Sequence, residues 1–213
     1  LVRHGETDWN AERRIQGRTD IPLNEAGRAQ AVTTGMLLAR RRWDGLFASP
    51  LARAIETARI IGAELGISEV ESIDAVAERN YGEAEGLDYE HIERMFPGDT
   101  PVPGRETHKE VADRVLPALM DLTARRAGQS LIVVTHGGVI RSVLNVVDPG
   151  VAHGRISNGS IHSFELVDGS LELVAFDDPI DELSLELGAA SLDEQNAMES
   201  RETLRGWRPS AGE

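Results

Sequence analysis

The sequence contains no cysteine, and Lys109 is the only lysine among its 22 basic residues. The absence of cysteine excludes disulfide bonds and thiolate chemistry, but it says little about the cell compartment. The chain also lacks a run of about 18 apolar residues, the length that a membrane-spanning helix needs. It shows no basic start, apolar stretch and small-residue site of a secretory signal. We therefore expect a cytoplasmic protein that does not act at a membrane.

Positive charge is scarce as well: 36 acidic residues against 22 basic ones give a formal net charge of -14. This balance argues against nucleic acid as a partner, because binding to a phosphate backbone needs a basic surface. An enzyme that acts on anions would then need its positive charge locally, in an arginine-lined pocket within an acidic surface. The arginines are spread along the chain, so their number alone carries little weight.

Hydrophobic periodicity predicts alternating strands and helices up to about residue 147. Strands are expected at 46–48, 70–76 and 131–135, and helices at about 24–38, at 88–96, at 106–126 with Pro117 inside, and at 138–147. Ser49-Pro50 is expected to cap a further helix that runs through Ile61. Asp168-Gly169, between the segments 160–167 and 170–176, is typical of a hairpin.

This pattern predicts an α/β fold, a three-layer α/β/α sandwich whose central sheet is mostly parallel, with an antiparallel pair at one edge. We assign this domain to residues 1–178. Residues 179–213 form an acidic C-terminal extension, in which the capping box Ser191–Glu194 predicts one helix. The apolar face of that helix is thin, so the extension is expected to be partly flexible, and a role in dimer contacts stays open.

Polar side chains follow the predicted strands at the points where the strands end. Arg3 and His4 follow the first strand, and Arg53 lies in the first turn of the helix after strand 46–48. His136 follows strand 131–135, and Glu78 follows the segment 70–76. In open α/β sheets the ligand lies at the carboxyl ends of the strands, so we expect these side chains to form one site.

The residue types in this set suit phosphoryl transfer. A neutral imidazole of His4 can attack phosphorus in line and form a phosphohistidine. Arg3 and Arg53 supply forked donors to the phosphoryl oxygens. His136, if protonated, adds a third positive group. Glu78 can protonate the leaving oxygen and then deprotonate the attacking water.

Neutral groups complete the expected site. Asn10 and the pair Gln16-Gly17 can donate hydrogen bonds around a phosphate. His136 opens a helix, whose first N–H groups favour an anion, and Gly137 and Gly138 allow a close approach of the backbone.

Each of these residues also has an ordinary structural interpretation when taken alone. The Arg3-His4 pair is most often a surface pair, and a lone His136 is more often a helix-terminal residue with a satisfied hydrogen bond. Arg53 can pair with Glu56 or Glu6. Glu78 stands in a run of charged residues typical of a solvated loop, and Arg141 is expected to form a structural ion pair. Only their coincidence at strand ends favours a site.

The histidines outside this set (91, 108, 153 and 162) are scattered along the sequence. They form no His-x-His or His-Glu-x-x-His spacing, and Glu6 near His4 is not enough to bind a metal ion. We therefore predict no metal and no cofactor.

Motifs along most of residues 1–176 resemble those of the histidine phosphatase superfamily, the phosphoglycerate mutase-like proteins. They are Leu1–Thr7 with Asn10, Gln16-Gly17, Asp20, Pro22-Leu23, Gly27, Ser49–Ala54 with Thr57, Glu78–Gly82 with Glu85-Gly86, Pro103–Thr107, Thr135–Gly138 and Asn158–Ser160. The resemblance implies the phosphoglycerate mutase-like fold. It makes His4 the phosphorylated nucleophile, Glu78 the proton donor and acceptor, and Arg3, Asn10, Arg53 and His136 the phosphate ligands.

Two positions depart from the pattern of the family. Ala84 stands where its phosphatases often carry an aromatic residue, so the roof of the pocket is expected to differ. Arg105 stands where glycine is frequent, and it could reach toward a second acidic group on the substrate.

The interval 87–105 distinguishes the branches of this family. It is short and lacks the Arg-Arg-Ser-Tyr-Asp type of stretch that cofactor-dependent phosphoglycerate mutases carry there, and the Gln16-Gly17 loop also resembles the phosphatase branches. We therefore predict a metal-independent phosphatase of small phosphorylated metabolites. A cofactor-dependent phosphoglycerate mutase and a catalytically idle module that binds a phosphorylated ligand stay as alternatives. The substrate itself is open among sugar phosphates, phosphoglycerates and phosphorylated cofactor precursors, and a homodimer is an open expectation.

Overall fold

Four parallel strands form the central sheet in the computed structural model, which describes residues 1–180. The strands are β1 (Val2–Arg3), β2 (Gly45–Ala48), β3 (Glu71–Ser72), β4 (Leu131–Thr135), β5 (Ser163–Val167) and β6 (Ser170–Ala175). The helices are α1 (Asp8–Ala11), α2 (Glu25–Leu38), α3 (Ala52–Leu65), α4 (Tyr89–Met95), α5 (His108–Arg125) and α6 (Gly137–Val147). Short 3-10 turns lie at Asp74–Val76 and Gly82–Ala84.

The central sheet has the strand order β1-β4-β2-β3, with every pair parallel. Val2 pairs with Val134, and Phe47 pairs with Val133, so the short strand β1 lies beside the end of β4. This register aligns the carboxyl ends of β1, β2 and β4 at one edge of the sheet. The loops that leave this edge carry the polar residues of the predicted site.

Alternation along β2 and β4 divides the core into two layers, because successive side chains of a strand point to opposite faces. Leu46 and Ile132 face helices α2 and α3, whereas Phe47 and Val133 face helices α5 and α6. The first layer includes Val2, Leu38, Leu46, Ala48, Ala54, Ala58, Ile61, Ile132 and Val134. The second includes Phe47, Val76, Val111, Val115, Leu119, Leu122, Val133, Val139 and Val143. The predicted three-layer α/β/α fold is confirmed.

Helix α2 begins as its sequence predicts. The side chain of Asn24 accepts a hydrogen bond from the backbone N–H of Gly27, which is the normal role of an N-cap residue. Helix α5 begins with a capping box between Thr107 and Glu110, and Pro117 lies inside it. Strand β4 has the predicted bounds.

The predicted hairpin forms, but it is not part of the central sheet. Asp168 and Gly169 both have positive φ, +49° and +80°, as a two-residue hairpin turn requires. Strands β5 and β6 form a separate two-stranded sheet. A single antiparallel bridge between Val2 and Ile161 links the segment before it to β1. Because β1 is only two residues long, its free edge is too short for β5 to pair with it as a strand of the central sheet.

Two local predictions need correction. The strand expected at 70–76 is reduced to Glu71–Ser72, and a 3-10 turn follows it. Ser49-Pro50 does not cap α3, since the N-cap is Leu51 and makes no side-chain hydrogen bond. The hydroxyl of Ser49 is engaged with His136 instead.

The predicted helix at Ser191–Glu194, like nearly all of the predicted extension 179–213, lies outside the described residues. None of the helices within residues 1–180 combines the length and the apolar character that crossing a membrane requires.

Candidate active site

Three strand ends bring the predicted side chains together. Arg3 ends β1 beside Thr135 of β4, and Ala48 ends β2 beside Val134. The residues that follow these ends are His4, Ser49 and His136, so they emerge next to one another at the same edge of the sheet. The rings of His4 and His136 lie 5.1 Å apart between centroids.

His4 is held in the orientation that a nucleophile needs. Its Nδ1 lies 2.6 Å from the carbonyl oxygen of Gly5, which can only accept, so Nδ1 carries the ring proton. Its Nε2 therefore bears a lone pair and accepts a hydrogen bond from Nε of Arg53 at 3.3 Å. Burial, with the charges of Arg53 and Arg3, holds the pKa of His4 well below its ordinary value. The imidazole is neutral, as attack on phosphorus requires.

The residue after His4 has to be glycine. A Cβ on Gly5 would lie 2.3 Å from the carbonyl oxygen of Gly27 in α2. The backbone N–H of Gly5 donates to the Thr57 hydroxyl at 3.1 Å, and that hydroxyl donates to the Arg53 carbonyl at 2.7 Å. These contacts fix the His4 backbone against helices α2 and α3.

Backbone carbonyls hold both arginines of the site. Arg3 donates from Nη1 to the carbonyl oxygen of Ile156 at 2.7 Å. Arg53 donates to the carbonyls of Thr19 and Gly17 at 3.0 and 2.7 Å. Burial lowers the pKa of Arg53 to about 10, while the carboxylate of Glu78 acts in the opposite direction, so the guanidinium stays charged at neutral pH.

The alternative pairing of Arg53 with Glu56 or Glu6 does not occur. Glu56 pairs with Arg28 at 2.7 Å, and Glu6 accepts from the side chain of Asn24 at 2.9 Å. The positive charge of Arg53 therefore faces the site.

His136 is the N-cap residue of α6, and its ring has no exposed surface. Its Nε2 lies 2.7 Å from the hydroxyl oxygen of Ser49, whereas its Nδ1 has no hydrogen-bond partner within residues 1–180. Burial, and then the charge of Arg53, holds the pKa of His136 well below its ordinary value. The ring of His136 is therefore neutral in this structure, and the condition that the sequence analysis set for a third positive group is not met here.

Glu78 is buried, not in the solvated loop that its charged neighbours indicated. It is only 1% exposed. One carboxylate oxygen accepts the backbone N–H of Arg79 at 2.7 Å, and the other accepts that of Gly138 at 3.3 Å. Since Gly138 lies in the first turn of α6, the carboxyl group and His136 are positioned by the same helix terminus.

The neutral residues differ in how directly they fit the site. Asn10 forms a capping box with Thr7, and its Oδ1 lies 3.3 Å from Nδ2 of Asn158, which donates to the carbonyl of His4 at 3.0 Å. Gln16 is buried, and its Oε1 finds no hydrogen-bond partner in the described part of the chain. Gly137 is the first residue of α6, directly after His136.

Glu85 is a residue of this region to which the sequence analysis gave no role. Its carboxylate accepts the backbone N–H groups of Arg18 and Thr19 at 2.9 and 3.0 Å. It thereby fixes the loop whose Gly17 and Thr19 carbonyls hold Arg53. Gly17 has φ +55°, and a Cβ there would lie 2.0 Å from this carboxylate. Glu85 lies within a recognised motif, but its spacing gives no sign of this contact.

The two departures from the family pattern lie together around Tyr81. Ala84 is buried in a small apolar cluster with Ile15 and Tyr81. The guanidinium of Arg105 lies 5.7 Å from the centre of the Tyr81 ring, and that of Arg79 lies 5.2 Å from it. Burial and the charge of Arg79 lower the pKa of Arg105 to about 10. Contact of Arg105 with a substrate stays a prediction.

Arg141 has the structural role that was expected, although not as an ion pair. It donates to the carbonyl oxygens of His153 and Gly154 at 3.0 and 2.7 Å. Among the described residues, no group of three or more His, Asp or Glu side chains is arranged to hold a metal ion.

Comparisons with known proteins show the family to which the chain belongs. Residues 1–179 match the model of the histidine phosphatase superfamily (branch 1). The chain is 38% identical over 171 residues to the uncharacterized phosphatase PhoE of Bacillus subtilis, which covers 79% of this chain and 88% of that protein. It is 34% identical over 180 residues to the metal-independent phosphoserine phosphatase of Arabidopsis thaliana. That match covers 79% of this chain and 76% of the Arabidopsis protein.

A solved structure of the mycobacterial glucosyl-3-phosphoglycerate phosphatase superposes with a TM-score of 0.76 at 28% identity, over 83% of this chain and 96% of that one. The family model spans most of the chain, both curated relatives exceed 30% identity, and the fold agrees with that of the solved structure. The chain therefore belongs to the histidine phosphatase superfamily.

Proposed function

We propose that this protein is a phosphomonoester hydrolase that acts through a phosphohistidine on Nε2 of His4. The observation that carries the proposal is the orientation of His4. The Gly5 carbonyl accepts a hydrogen bond from the Nδ1–H group, the ring is neutral, and the lone pair of Nε2 lies beside the Arg53 guanidinium. A phosphoryl group placed next to Nε2 would meet a nucleophile and a cation at once.

In the first step, Nε2 of His4 forms a bond to phosphorus while the ester P–O bond breaks. For this step Glu78 has to be protonated when the ester binds, and it gives that proton to the leaving alcohol. In the second step, Glu78 takes a proton from water, the water oxygen bonds to phosphorus, and the P–N bond breaks to release phosphate. Arg3 and Arg53 stabilise the charge on the phosphoryl oxygens, which is where most of the rate of such a transfer arises.

His136 contributes a neutral donor in this mechanism. The Ser49 hydroxyl oxygen accepts the Leu51 N–H at 3.3 Å and lies 2.7 Å from Nε2 of His136. If the Ser49 hydroxyl donates to Nε2 of His136, the ring proton of His136 is on Nδ1. This is the atom that has no hydrogen-bond partner among the described residues. Nδ1 can then donate to a phosphoryl oxygen without a second cation beside Arg53.

Small phosphorylated metabolites are the substrates we propose. The two phosphatase relatives support hydrolysis, and one of them is named for phosphoserine. A second candidate is a phosphoglycerate mutase, because a 2,3-bisphosphoglycerate-dependent phosphoglycerate mutase of Methylobacterium is 36% identical over 165 residues, 70% of this chain. The two reactions share the phosphohistidine and differ in whether water or a second substrate accepts the phosphoryl group.

Phosphate release from a panel of phosphomonoesters in excess chelator tests the proposal. The panel contains phosphoserine, 3-phosphoglycerate, sugar phosphates and p-nitrophenyl phosphate, and His4→Ala is the matched control. We expect release that the variant abolishes. Equal release by both proteins would contradict the mechanism, and a strict requirement for added metal would contradict metal independence. Isomerisation of 3-phosphoglycerate in the presence of its bisphosphate, without release, would favour the mutase.

A further inference from the structure

His108 is a titratable residue that the mechanism above does not use. It is the first residue of α5, and its ring is partly buried between that helix and α6. Loss of water around the ring, and then the charge of Arg79, lower the pKa of His108 to about 3. The ring is therefore neutral over the whole physiological range.

The direction of each hydrogen bond at His108 follows from its partners. The hydroxyl of Ser142 donates its only proton to the carbonyl of Gly138 at 2.7 Å, so it accepts from Nδ1 of His108 at 2.9 Å. A guanidinium has donors only, so Nε2 of His108 accepts from Nη1 of Arg79 at 3.1 Å. One tautomer of His108, with the proton on Nδ1, satisfies both contacts.

These contacts close into a ring around the proton donor of the proposed reaction. Gly138 donates its backbone N–H to one carboxylate oxygen of Glu78 at 3.3 Å, and Arg79 donates its backbone N–H to the other at 2.7 Å. We call the five residues Glu78, Arg79, His108, Ser142 and Gly138 the Glu78 ring. It joins the loop after β3, the start of α5 and the first turns of α6.

We propose that His108 is a positioning residue for Glu78. Both amides that hold the Glu78 carboxylate belong to residues that His108 ties together, Arg79 directly and Gly138 through Ser142. Without His108, the loop that carries Glu78 and Arg79 loses this tie to α6. This inference rests on the proposed hydrolysis, since it assigns Glu78 the transfer of a proton to the leaving group.

Three substitutions separate the two contacts of His108. His108→Leu removes both. His108→Gln keeps an acceptor where Nε2 receives Arg79, and His108→Asn keeps a donor where Nδ1 reaches Ser142. The matched control is His162→Gln, because His162 is also a buried histidine whose pKa burial lowers to about 3, and it lies outside the Glu78 ring.

The first readout is the dependence of kcat/KM on the leaving group. With an alkyl phosphate that the wild-type protein hydrolyses, we expect His108→Leu to lower kcat/KM by about tenfold, the effect of one hydrogen bond to a charged group. With p-nitrophenyl phosphate, whose leaving group needs little protonation, the loss should stay below about threefold. His108→Gln and His108→Asn should each recover part of the loss. For His162→Gln, the ratio of kcat/KM to the wild-type value should be the same with both esters.

The second readout does not need turnover. Amide hydrogen exchange measured by NMR should be faster at Arg79 and Gly138 in His108→Leu by about tenfold or more, the local opening expected from one lost hydrogen bond. It should be unchanged at these two amides in His162→Gln.

The two readouts keep the two proposals distinguishable. If the wild-type protein hydrolyses no ester, the proposed function fails, and the exchange rates alone decide whether His108 holds the Glu78 loop. If hydrolysis occurs but His108→Leu loses the same factor on both esters, or leaves both exchange rates unchanged, the positioning role of His108 is wrong and the proposed function stands.

Discussion

His136 and His162 are both buried without exposed surface, and burial lowers the pKa of each, yet their hydrogen bonding differs. In His162, Nδ1 accepts the backbone N–H of Asp177 at 3.1 Å, so Nε2 carries the proton and donates to the hydroxyl of Ser160 at 2.9 Å. In His136, Nε2 meets Ser49, but Nδ1 has no hydrogen-bond partner in residues 1–180. One ring is fully satisfied by the protein and the other is not.

This difference supports the proposed role of His136 in the site and a structural role for His162. A buried polar atom without a partner costs about 1–3 kcal/mol, so proteins rarely keep one without a reason. At His136 the reason we propose is a phosphoryl oxygen that binds beside His4. The ring of His162 connects the segment before β5 to the residues after β6 through its hydrogen bonds to Ser160 and Asp177. Changes in the site should therefore act on rate, and changes around His162 should act on stability.

The substitution His4→Ala should produce the largest effect on rate. It removes the only nucleophile that the Gly5 carbonyl and Arg53 orient. We expect kcat to fall by about 10⁴-fold or more, as for nucleophiles of other covalent mechanisms. The melting temperature should be unchanged or higher, because a buried imidazole between two arginines is removed. Phosphate release measures kcat, and differential scanning calorimetry measures the melting temperature. A strongly destabilised His4→Ala protein would contradict the view that the site affects rate and His162 affects stability.

Glu78→Gln should have the second largest effect, and it should depend on the leaving group. The amide cannot donate the proton that an alkyl leaving group needs, so we expect kcat/KM for alkyl phosphates to fall by about 10³-fold. For p-nitrophenyl phosphate the loss should be about tenfold. Steady-state kinetics with both esters measures this, and equal losses would show that Glu78 is not the acid.

The substitution Arg53→Lys keeps the positive charge but removes the planar guanidinium group, whose three nitrogens donate in different directions. Arg53 reaches His4 through Nε and the Gly17 and Thr19 carbonyls through its two terminal nitrogens, which one ammonium group cannot match. We expect a loss of about 10²-fold in kcat/KM, the effect of one charge-stabilising donor. Arg28→Lys is a matched control, since Arg28 forms an exposed ion pair with Glu56. If the two variants keep the same activity, Arg53 does not hold the phosphoryl group.

The sequence predicted the three-layer fold because the apolar runs and helix starts are local signals. Strand β4 is a continuous apolar run, and helix α2 begins at an N-cap residue with its partner three positions later. The rule that ligands lie at strand ends then placed His4 and His136 at one edge. These features need no knowledge of contacts between distant segments.

The missed features all depend on such distant contacts. Ser49 follows β2 and bonds His136 across 87 positions of the chain, so its local pattern with Pro50 indicated a helix cap instead. Glu85 fixes the loop around Thr19 from 66 positions away. The neutral state of His136 depends on burial and on Arg53, and sequence shows neither. The hairpin was predicted from its turn, but its separation from the central sheet depends on the short β1.

His162→Gln should have the smallest effect on rate and should change stability in a pH-dependent way. The unfolded chain binds a proton at His162 below the ordinary pKa of 6.5, whereas the folded chain binds it only near 3. In this window the unfolded state binds more protons, so His162 lowers the stability of the wild-type protein as pH falls. Glutamine does not titrate. At neutral pH the variant should lose about 1–2 kcal/mol for the hydrogen bonds to Ser160 and Asp177.

Urea unfolding of both proteins between pH 7.5 and pH 5 measures this difference. Each pH unit below the ordinary value of His162 costs the wild-type protein about 1.4 kcal/mol that the variant keeps, so the gap should shrink by about 2 kcal/mol by pH 5. A constant gap would mean that His162 binds its proton equally in both states and is not the satisfied, neutral ring described above. A change in kcat larger than about twofold at neutral pH, well below the effect of a single hydrogen bond, would instead place His162 in the site.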